Sequence, residues 1–271
     1  MSVPKEYYVI GGLIGLGIDV LLEVLLQMIN LKDTQQLLVV CRKTFQLQLH
    51  YRFPSIIKYL RDVKYSIPAP FLQDVELEKN KFTHILYGNS VILFDPVINS
   101  RIVKFEVLNV KDLDTVGISD ESVHFSRNQS PSSAGKNNTI QYFRDGQISH
   151  NENWVEGNVK FSSGDRIALE LNMDSNPREL TFFVNDIEQN NYIVNIPSAV
   201  RFWAFFWNKQ QSFEILKFEY QLFSCAKHGD KSLSFEWGKE WKLHRLPKVV
   251  QNELDDTITE MEEILINMKQ E

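Results

Sequence analysis

The apolar residues near the amino terminus recur at helical spacing. Leucines and an isoleucine repeat every three or four positions from residue 21 to residue 29, with polar residues between them. A second apolar stripe runs from Leu37 to Leu49, and the polar stretch before it offers Asp33 or Thr34 as the N-cap of a second helix. Short amphipathic helices bury little surface by themselves. This part of the chain therefore predicts a small helical module whose remaining apolar face packs against another surface.

Apolar and polar residues alternate from residue 82 to about residue 222, as in β-strands with one buried face. The pairs Gly88-Asn89 and Asp145-Gly146 separate β-prone runs and predict tight hairpin turns. In the strand that follows Gly164, we expect Ala168 and Glu170 to point outwards. No helical stretch interrupts the series, so the sequence predicts a mainly β protein built around an antiparallel β-sandwich.

Prolines and a glycine mark the two ends of the β region. Pro54, Pro68 and Pro70 favour one short helix over Ile56–Val63 and an extended linker over residues 66–79. After the sandwich, residues 223–247 contain Gly238 between aromatic residues, which predicts a β-hairpin extension.

The last segment, residues 248–271, carries apolar residues at 4-3-4-3 spacing with acidic residues on the opposite side, which predicts an amphipathic helix. It spans too few heptads to define a coiled coil. Three interpretations stay open: packing against the N-terminal helices, association with a partner or a second copy, and a frayed tail. The apolar positions are Leu254, Ile258, Met261, Leu265 and Met268.

The apolar run from Tyr7 to Leu31 raises the question of a membrane span or a nucleotide-binding turn. Asp19 and Glu23 lie one helical turn apart in its middle, and a central carboxylate costs about 2.5–3.5 kcal/mol on insertion scales. A G-x-G-x-x-G fingerprint that began at Gly15 would need a glycine at position 20, where valine stands. We therefore expect neither, and interpret the run as part of the helical module.

The charge of the chain and its cysteine and histidine content argue against several classes of function. The net charge of −6 argues against a nucleic-acid surface, which requires clustered Lys and Arg. Two distant cysteines, Cys41 and Cys225, make no disulfide framework and favour a reducing compartment, the cytoplasm or the nucleus. The six histidines are scattered, and none pairs with another His or Cys at metal-ligand spacing. We expect no cofactor, no metal site and no catalytic residue.

The run IDVLLEVLLQMINLKDTQQLLVVCRKTFQL resembles an F-box over roughly residues 13–50. Its acidic, leucine-rich helix, its Asn-Leu-Lys-Asp break and its Val-Cys-Arg-Lys segment align with the parts of that family, whereas Gly17-Ile18 replace the usual Leu-Pro. The resemblance implies docking onto the Skp-type linker subunit of a cullin ubiquitin ligase. The alternative is a helical hairpin that packs only on its own chain. The partner contacts that the resemblance implies are Leu21, Leu22, Leu25, Val40 and Cys41.

Four motifs of the β region resemble a SPRY domain in order and spacing over residues 80–222: TVGI from Thr115, YFRDG from Tyr142, GDRIALEL from Gly164 and LTFFVND from Leu180. Asp186 replaces the usual Gly, which is tolerable because Asp also adopts positive φ. The resemblance implies a rigid sandwich whose loops bind a peptide or protein segment. We expect Trp154 and Trp203 to be core residues. The contacts implied by position are Tyr87, Asn89, Phe125, Arg127, Trp207 and Asn208.

The two resemblances together imply a substrate-recognition adaptor. Residues 1–65 would dock the ligase, and the loops would hold the protein to be ubiquitinated, so the adaptor supplies proximity and needs no catalytic residue. Two alternatives stay open. One is a SPRY peptide-binding scaffold with no ubiquitin-ligase link, and the other is a membrane-tethered binder anchored through residues 8–31.

Overall fold

The computed structural model describes residues 12–28 and 31–241 of the 271-residue chain. Over these residues a group of short helices precedes two packed β-sheets. The prediction of a mainly β sandwich with a helical module before it is therefore confirmed. The amphipathic helix predicted over residues 248–271 lies outside the described residues.

Short α-helices form the N-terminal module, and one further helix leads into the sandwich. Asp33 and Thr34, predicted as N-caps, lie instead in the first turn of the second helix. Pro54 lies in the first turn of the fourth helix, where its missing N–H breaks no intrahelical hydrogen bond. That helix begins three residues before the predicted start. The bounds are α1 Ile18–Leu26, α2 Leu31–Val39, α3 Arg42–Gln46, α4 Phe53–Arg61 and α5 Ala69–Leu72.

The module has a small apolar core of its own. Leu21, Leu22 and Leu25 lie on one face of α1, with Leu25 one turn after the other two, and all three are fully buried in a cluster with the neighbouring helices. Leu38 of α2 and Ile56 of α4 complete this cluster from the facing helices. The apolar spacing seen in the sequence therefore builds the interior of the module.

The strands form a nine-stranded and a six-stranded sheet. Among the described residues, every strand pairing is antiparallel except one parallel pair at the end of the larger sheet. The bounds are β1 Val75–Glu78, β2 Lys81–His84, β3 Ser90–Leu93, β4 Ile102–Lys111, β5 Thr115–Asp120, β6 Thr139–Phe143, β7 Ile148–His150, β8 Asn153–Val155, β9 Arg166–Asn172, β10 Glu179–Val184, β11 Ile187–Glu188, β12 Asn191–Val194, β13 Val200–Phe206, β14 Ser212–Gln221 and β15 Leu233–Glu236.

The larger sheet has the order β1-β2-β14-β4-β9-β10-β12-β15, with β11 paired to β10. The smaller sheet has the order β3-β13-β5-β6-β7-β8. Strands β2 and β3 follow each other in sequence but belong to different sheets, and the same holds for β13 and β14. The chain therefore crosses between the layers at both places, and these two crossings position the candidate site described below.

Aromatic side chains from both sheets fill the space between the layers. The Phe105 and Phe202 rings, one from each sheet, stack with centroids 5.1 Å apart. Trp203, the largest fully buried side chain, lies over Gly117 of β5. A Cβ added at Gly117 would lie 2.5 Å from the indole ring and 2.0 Å from the Ile140 carbonyl oxygen, so only glycine fits. Such rings supply much of the apolar surface that folding buries.

The structure confirms one predicted hairpin and corrects two others. Strands β6 and β7 pair across the turn at Asp145-Gly146, where Gly146 has φ +91°. The Gly88-Asn89 turn connects two sheets instead of two neighbouring strands, because each flanking strand finds its partner elsewhere. The strand before Gly238, β15, pairs in parallel with β12 and has no hairpin partner among the described residues.

The outer face of β9 is covered, contrary to the prediction that Ala168 and Glu170 point into solvent. Both residues are buried. The chain that follows β14 lies over Glu170, whose carboxylate accepts hydrogen bonds from the Ser224 hydroxyl at 2.6 Å and from the Cys225 N–H at 2.8 Å. A charged residue in an alternating strand can thus be buried when a later segment supplies donors.

The module is joined directly to the sandwich. The Val63 N–H donates to the Phe218 carbonyl of β14 at 2.8 Å, and the Arg61 guanidinium lies 2.8 Å from the Glu219 carboxylate. At the other end, the Lys32 ammonium lies 3.0 Å from the Asp174 carboxylate. The predicted linker over residues 66–79 contains α5 and β1 and contributes Phe71 to the sandwich core, so it is an ordered part of the fold.

Candidate protein-interaction surface

Two loops that cross between the sheets lie side by side at one end of the sandwich. Residues 85–89 connect β2 to β3, and residues 207–211 connect β13 to β14. Thr83 pairs with Ser212 in the larger sheet, and Ser90 pairs with Phe206 in the smaller sheet. Because both layers fix the loop ends next to each other, the two loops are held at a common rim.

Hydrogen bonds tie these crossing loops together. His84 Nδ1 lies 2.9 Å from the Asn208 carbonyl oxygen, and the Gln210 N–H donates to the His84 carbonyl at 2.8 Å. The buried Gln211 side chain accepts from the Trp207 N–H at 2.6 Å and donates to the Asp112 carbonyl at 2.6 Å. The backbone of the second loop is therefore fixed from inside by Gln211, while the side chains of Trp207, Asn208 and Lys209 are exposed.

A third loop, residues 121–130, closes the same rim. The Asn128 side-chain oxygen accepts the Asn89 N–H at 3.2 Å. The Arg127 guanidinium pairs with the buried Asp74 carboxylate and donates to the Gln73 side-chain oxygen at 3.0 Å. The hydrogen bond to this carboxylate raises the pKa of Arg127. Arg127 thus holds the loop in place through a charge-assisted pair.

Large side chains project from the rim into solvent. Tyr87 is 85% exposed and Trp207 is 54% exposed. The Lys209 ammonium lies 5.4 Å from the centre of the Tyr87 ring, within cation–π range. We call one set of side chains on the two crossing loops the rim surface. All are exposed except the half-buried Asn89; the set is Ile85, Leu86, Tyr87, Asn89, Trp207, Asn208 and Lys209.

The structure brings together four of the six loop residues that the sequence singled out: Tyr87, Asn89, Trp207 and Asn208. Arg127 lies beside them but acts through Asp74 in support of the third loop. Phe125 is a correction, because it is buried and packs edge-on against the indole of Trp203 at 6.0 Å.

Sequence reasoning missed three residues of the rim surface. Ile85, Leu86 and Lys209 are exposed beside the predicted ones. The apolar run before Gly88 suggested that Ile85 and Leu86 belong to a buried strand. The strand in fact ends at His84, so the run continues into the crossing loop.

The helical module places the five F-box-like residues differently. Leu21, Leu22 and Leu25 are fully buried, and a side chain with no exposed surface cannot contact a docked partner while the module stays folded. Cys41 is the N-cap of α3, and its thiol lies 3.5 Å from the Thr44 hydroxyl, which lowers the pKa of Cys41. Val40, in contrast, is 62% exposed.

Several apolar residues near Val40 are exposed as well. They lie between the end of α2 and the start of α4, where two short helical turns leave little room for burial. We call this set the module face; it consists of Val39, Val40, Phe45, Leu49 and Tyr51. The sequence signal for it was the second apolar stripe, which contains more apolar residues than one short helix can bury.

Two kinds of site, a metal centre and a membrane-spanning helix, are absent from the described part of the chain. No group of three or more His, Cys, Asp or Glu residues there is placed to hold a metal ion. Within the same residues, no helix is both long and apolar enough to cross a bilayer.

Trp154, predicted as core, lies 47% exposed on β8 against Phe143, whereas Trp203 is in the core as predicted.

No family model and no curated protein matches this chain. Among solved structures, the chain is similar to the SPRY domain of human HERC1, with 18% identity over 56% of this chain and 98% of that chain and a TM-score of 0.43. A second human SPRY domain shows 14% identity over 56% and 96% of the two chains, with a TM-score of 0.42. The TRIM65 PSpry domain shows 13% identity over 60% and 97%, with a TM-score of 0.44. At these identities, what a residue of this chain binds has to be argued from its own geometry.

Proposed function

We propose that this protein is a non-catalytic interaction protein that binds a peptide or protein segment through the rim surface. The observation that carries the proposal is the exposure of Tyr87 and Trp207 on two crossing loops whose backbones are fixed by both sheets. Large, rigid aromatic side chains with one polar group dominate the energy of many protein interfaces. A preformed loop also loses little conformational entropy when a partner binds.

The removal of the Trp207 side chain tests this proposal. We expect Trp207→Ala to weaken partner capture by about 2 kcal/mol or more, the scale of an interface anchor. The melting temperature should stay nearly unchanged, because the indole lies outside the core. The measurement is quantitative affinity purification of the full chain followed by mass spectrometry, together with a thermal melt.

Trp154→Ala is the matched control, because Trp154 is similarly exposed but lies on β8, outside the rim surface. Proteins that are lost with Trp207→Ala and kept with Trp154→Ala are ligands of the rim surface. The same set of captured proteins with both variants would contradict the proposal. A large fall in the melting temperature of Trp207→Ala would show that this residue is structural.

The finer proposal is a substrate-recognition adaptor of a cullin-type ubiquitin ligase. The F-box-like sequence and the exposed module face support it, since an apolar surface of this kind on a short helical module favours docking. In this arrangement the module face binds a Skp-type linker subunit while the rim surface holds the substrate. The protein then acts by raising the local concentration of substrate at the transferring enzyme.

Substitution on the module face separates this adaptor from its alternative. We expect the full chain to co-purify with a Skp-type subunit when the two are expressed together. Val40→Asp should abolish the complex, because an exposed valine would become an unpaired carboxylate in an apolar interface. Buried residues such as Leu25 are unsuitable for this test, since their replacement would unfold the module.

The control is Val159→Asp, the same change at a 55% exposed valine of the sandwich. A complex that survives Val40→Asp, or is lost with both variants, would contradict docking through the module face. If the unaltered chain does not co-purify, the alternative is favoured: a peptide-binding scaffold whose helices brace the sandwich. The insertion of Val63 into the sandwich core is the observation that supports such a bracing role.

A further inference from the structure

An apolar groove lies between the helical module and the end of the sandwich. It has a volume of about 360 Å³ and is walled by α2, by α4 and by the chain that follows β14. Its apolar lining comes from Leu31 and Leu38 on α2, from Phe53 and Ile57 on α4, and from Phe223. Phe223 is 73% exposed at the lip of this groove. Apolar surface gathered in a groove of this kind favours an apolar occupant.

We propose that the occupant is this chain's own carboxy-terminal segment, residues 250–271, docked as an amphipathic helix. The segment carries five apolar residues along one predicted helical side. A helix of this length is marginal in water by itself, so it needs a surface on which to bury that side.

The number of residues that follow the last strand, β15, allows this docking. The last residues of β14 and β15 lie at the same end of the strands in the larger sheet. One row of paired residues connects them across five inter-strand spacings. This distance is about 24 Å. Residues 242–253 can span up to about 40 Å before the first apolar position of the segment. The row is Gln221, Ile102, Asn172, Glu179, Val194 and Glu236.

Charge also favours the docking. Residues 31–64, which include both groove helices, contain seven Lys or Arg and two Asp or Glu. Residues 253–271 contain seven Asp or Glu and one Lys. Lys32 and Arg61 flank the groove, and each is paired with a carboxylate of the sandwich. The attraction for the acidic segment therefore comes from the excess of Lys and Arg over the whole of residues 31–64. The apolar match decides where the segment binds, and the opposite charges increase the attraction.

Amide hydrogen exchange of the full chain, read over residues 254–268, tests the proposal. These amides should be protected, and Phe223→Gln and Leu265→Gln should each reduce the protection by about tenfold through loss of apolar contact. The matched controls are Tyr51→Gln, an exposed aromatic residue of the module outside the groove lining, and Glu263→Gln on the opposite side of the predicted helix. Both controls should leave the protection within about twofold of the unaltered chain.

Three results would overturn the proposal. The first is the absence of protection over residues 254–268 in the unaltered chain. The second is protection that is unchanged by Phe223→Gln, which would place the segment elsewhere on the molecule. The third is protection that falls when the protein is diluted, because it would identify a second copy as the source of the docked segment.

Discussion

The sandwich and the helical module solve the problem of burying apolar surface in different ways. The sandwich closes its core between two sheets, with rings such as Phe105 and Phe202 stacked across the layers. The module buries one face of α1 against a few side chains and leaves Val39, Val40 and Leu49 in solvent. The first region is a complete unit. The second has more apolar surface than its own core can hide, which is the property expected of a docking element.

This difference assigns separate roles to apolar residues that look alike in the sequence. In the sandwich, Tyr87 and Trp207 are exposed on loops that a rigid frame holds in place. In the module, exposed apolar residues lie on the helices and the turns between them. Substitutions should therefore act on global stability in the sandwich core and on local opening in the module core.

The largest effect is expected for Trp203→Ala. The fully buried indole fills the space over Gly117, so its removal leaves a cavity and should lower the free energy of unfolding by about 3–5 kcal/mol. Chemical denaturation provides the measurement. Trp207→Ala, four positions along the chain, should lose less than about 1 kcal/mol. Equal losses at the two positions would contradict the division between a closed core and an open rim.

A smaller and more local effect is expected for Leu22→Ala in the module. The side chain is fully buried, and its truncation should cost about 2–4 kcal/mol of local stability. Hydrogen exchange should show faster exchange over residues 18–61 and unchanged exchange over residues 102–221. Val20→Ala, at an exposed position of the same helix, is the control. If both ranges respond equally to Leu22→Ala, the module and the sandwich open as one cooperative unit.

The smallest effect concerns the end of the sandwich and depends on pH. His150 is buried; its Nδ1 lies 2.9 Å from the Thr139 carbonyl, and its Nε2 accepts the Gly238 N–H at 2.8 Å. Burial lowers the pKa of His150, so the folded state keeps the ring neutral. An unfolded histidine takes up its proton near pH 6.5. Stability should therefore be fully present above that pH and decrease as the pH falls below it, by at most about 1.4 kcal/mol per pH unit.

Denaturation curves between pH 7.5 and 5.5 measure this effect. His150→Gln keeps a hydrogen-bonding side chain without the titration, so its stability should change less with pH than that of the unaltered chain. His124→Gln, at an exposed position, should keep the original slope. The same pH dependence in all three proteins would exclude His150 as its source.

Local patterns in the sequence predicted the kind of element but not the partner of each element. Period-two alternation identified the strands, and Asp145-Gly146 identified a true hairpin. Gly88-Asn89 carries a similar signal, yet its strands enter different sheets, since pairing depends on residues distant in sequence. Glu170 follows the outward alternation and is buried by a segment more than 50 positions later.

The same limit applies to the candidate sites. Tyr87 and Trp207 could be selected because a large aromatic residue in a loop between strands offers a partner a rigid anchor. Phe125 resembled them in sequence, but the space beside Trp203 that receives it exists only in the folded sandwich. In the module, helical spacing identified Leu21, Leu22 and Leu25 as one face. Whether that face pointed inwards depended on the neighbouring helices.

The two crossing loops have a practical consequence for protein engineering. The ends of both loops are fixed by His84, by Gln211 and by strand pairing in both sheets. The side chains at the loop tips are exposed and lie outside the core. A library randomised at Tyr87, Trp207, Asn208 and Lys209, with those anchors retained, would vary recognition on an unchanged scaffold. New binding specificities could then be selected from this molecule in the way they are selected from antibody fragments.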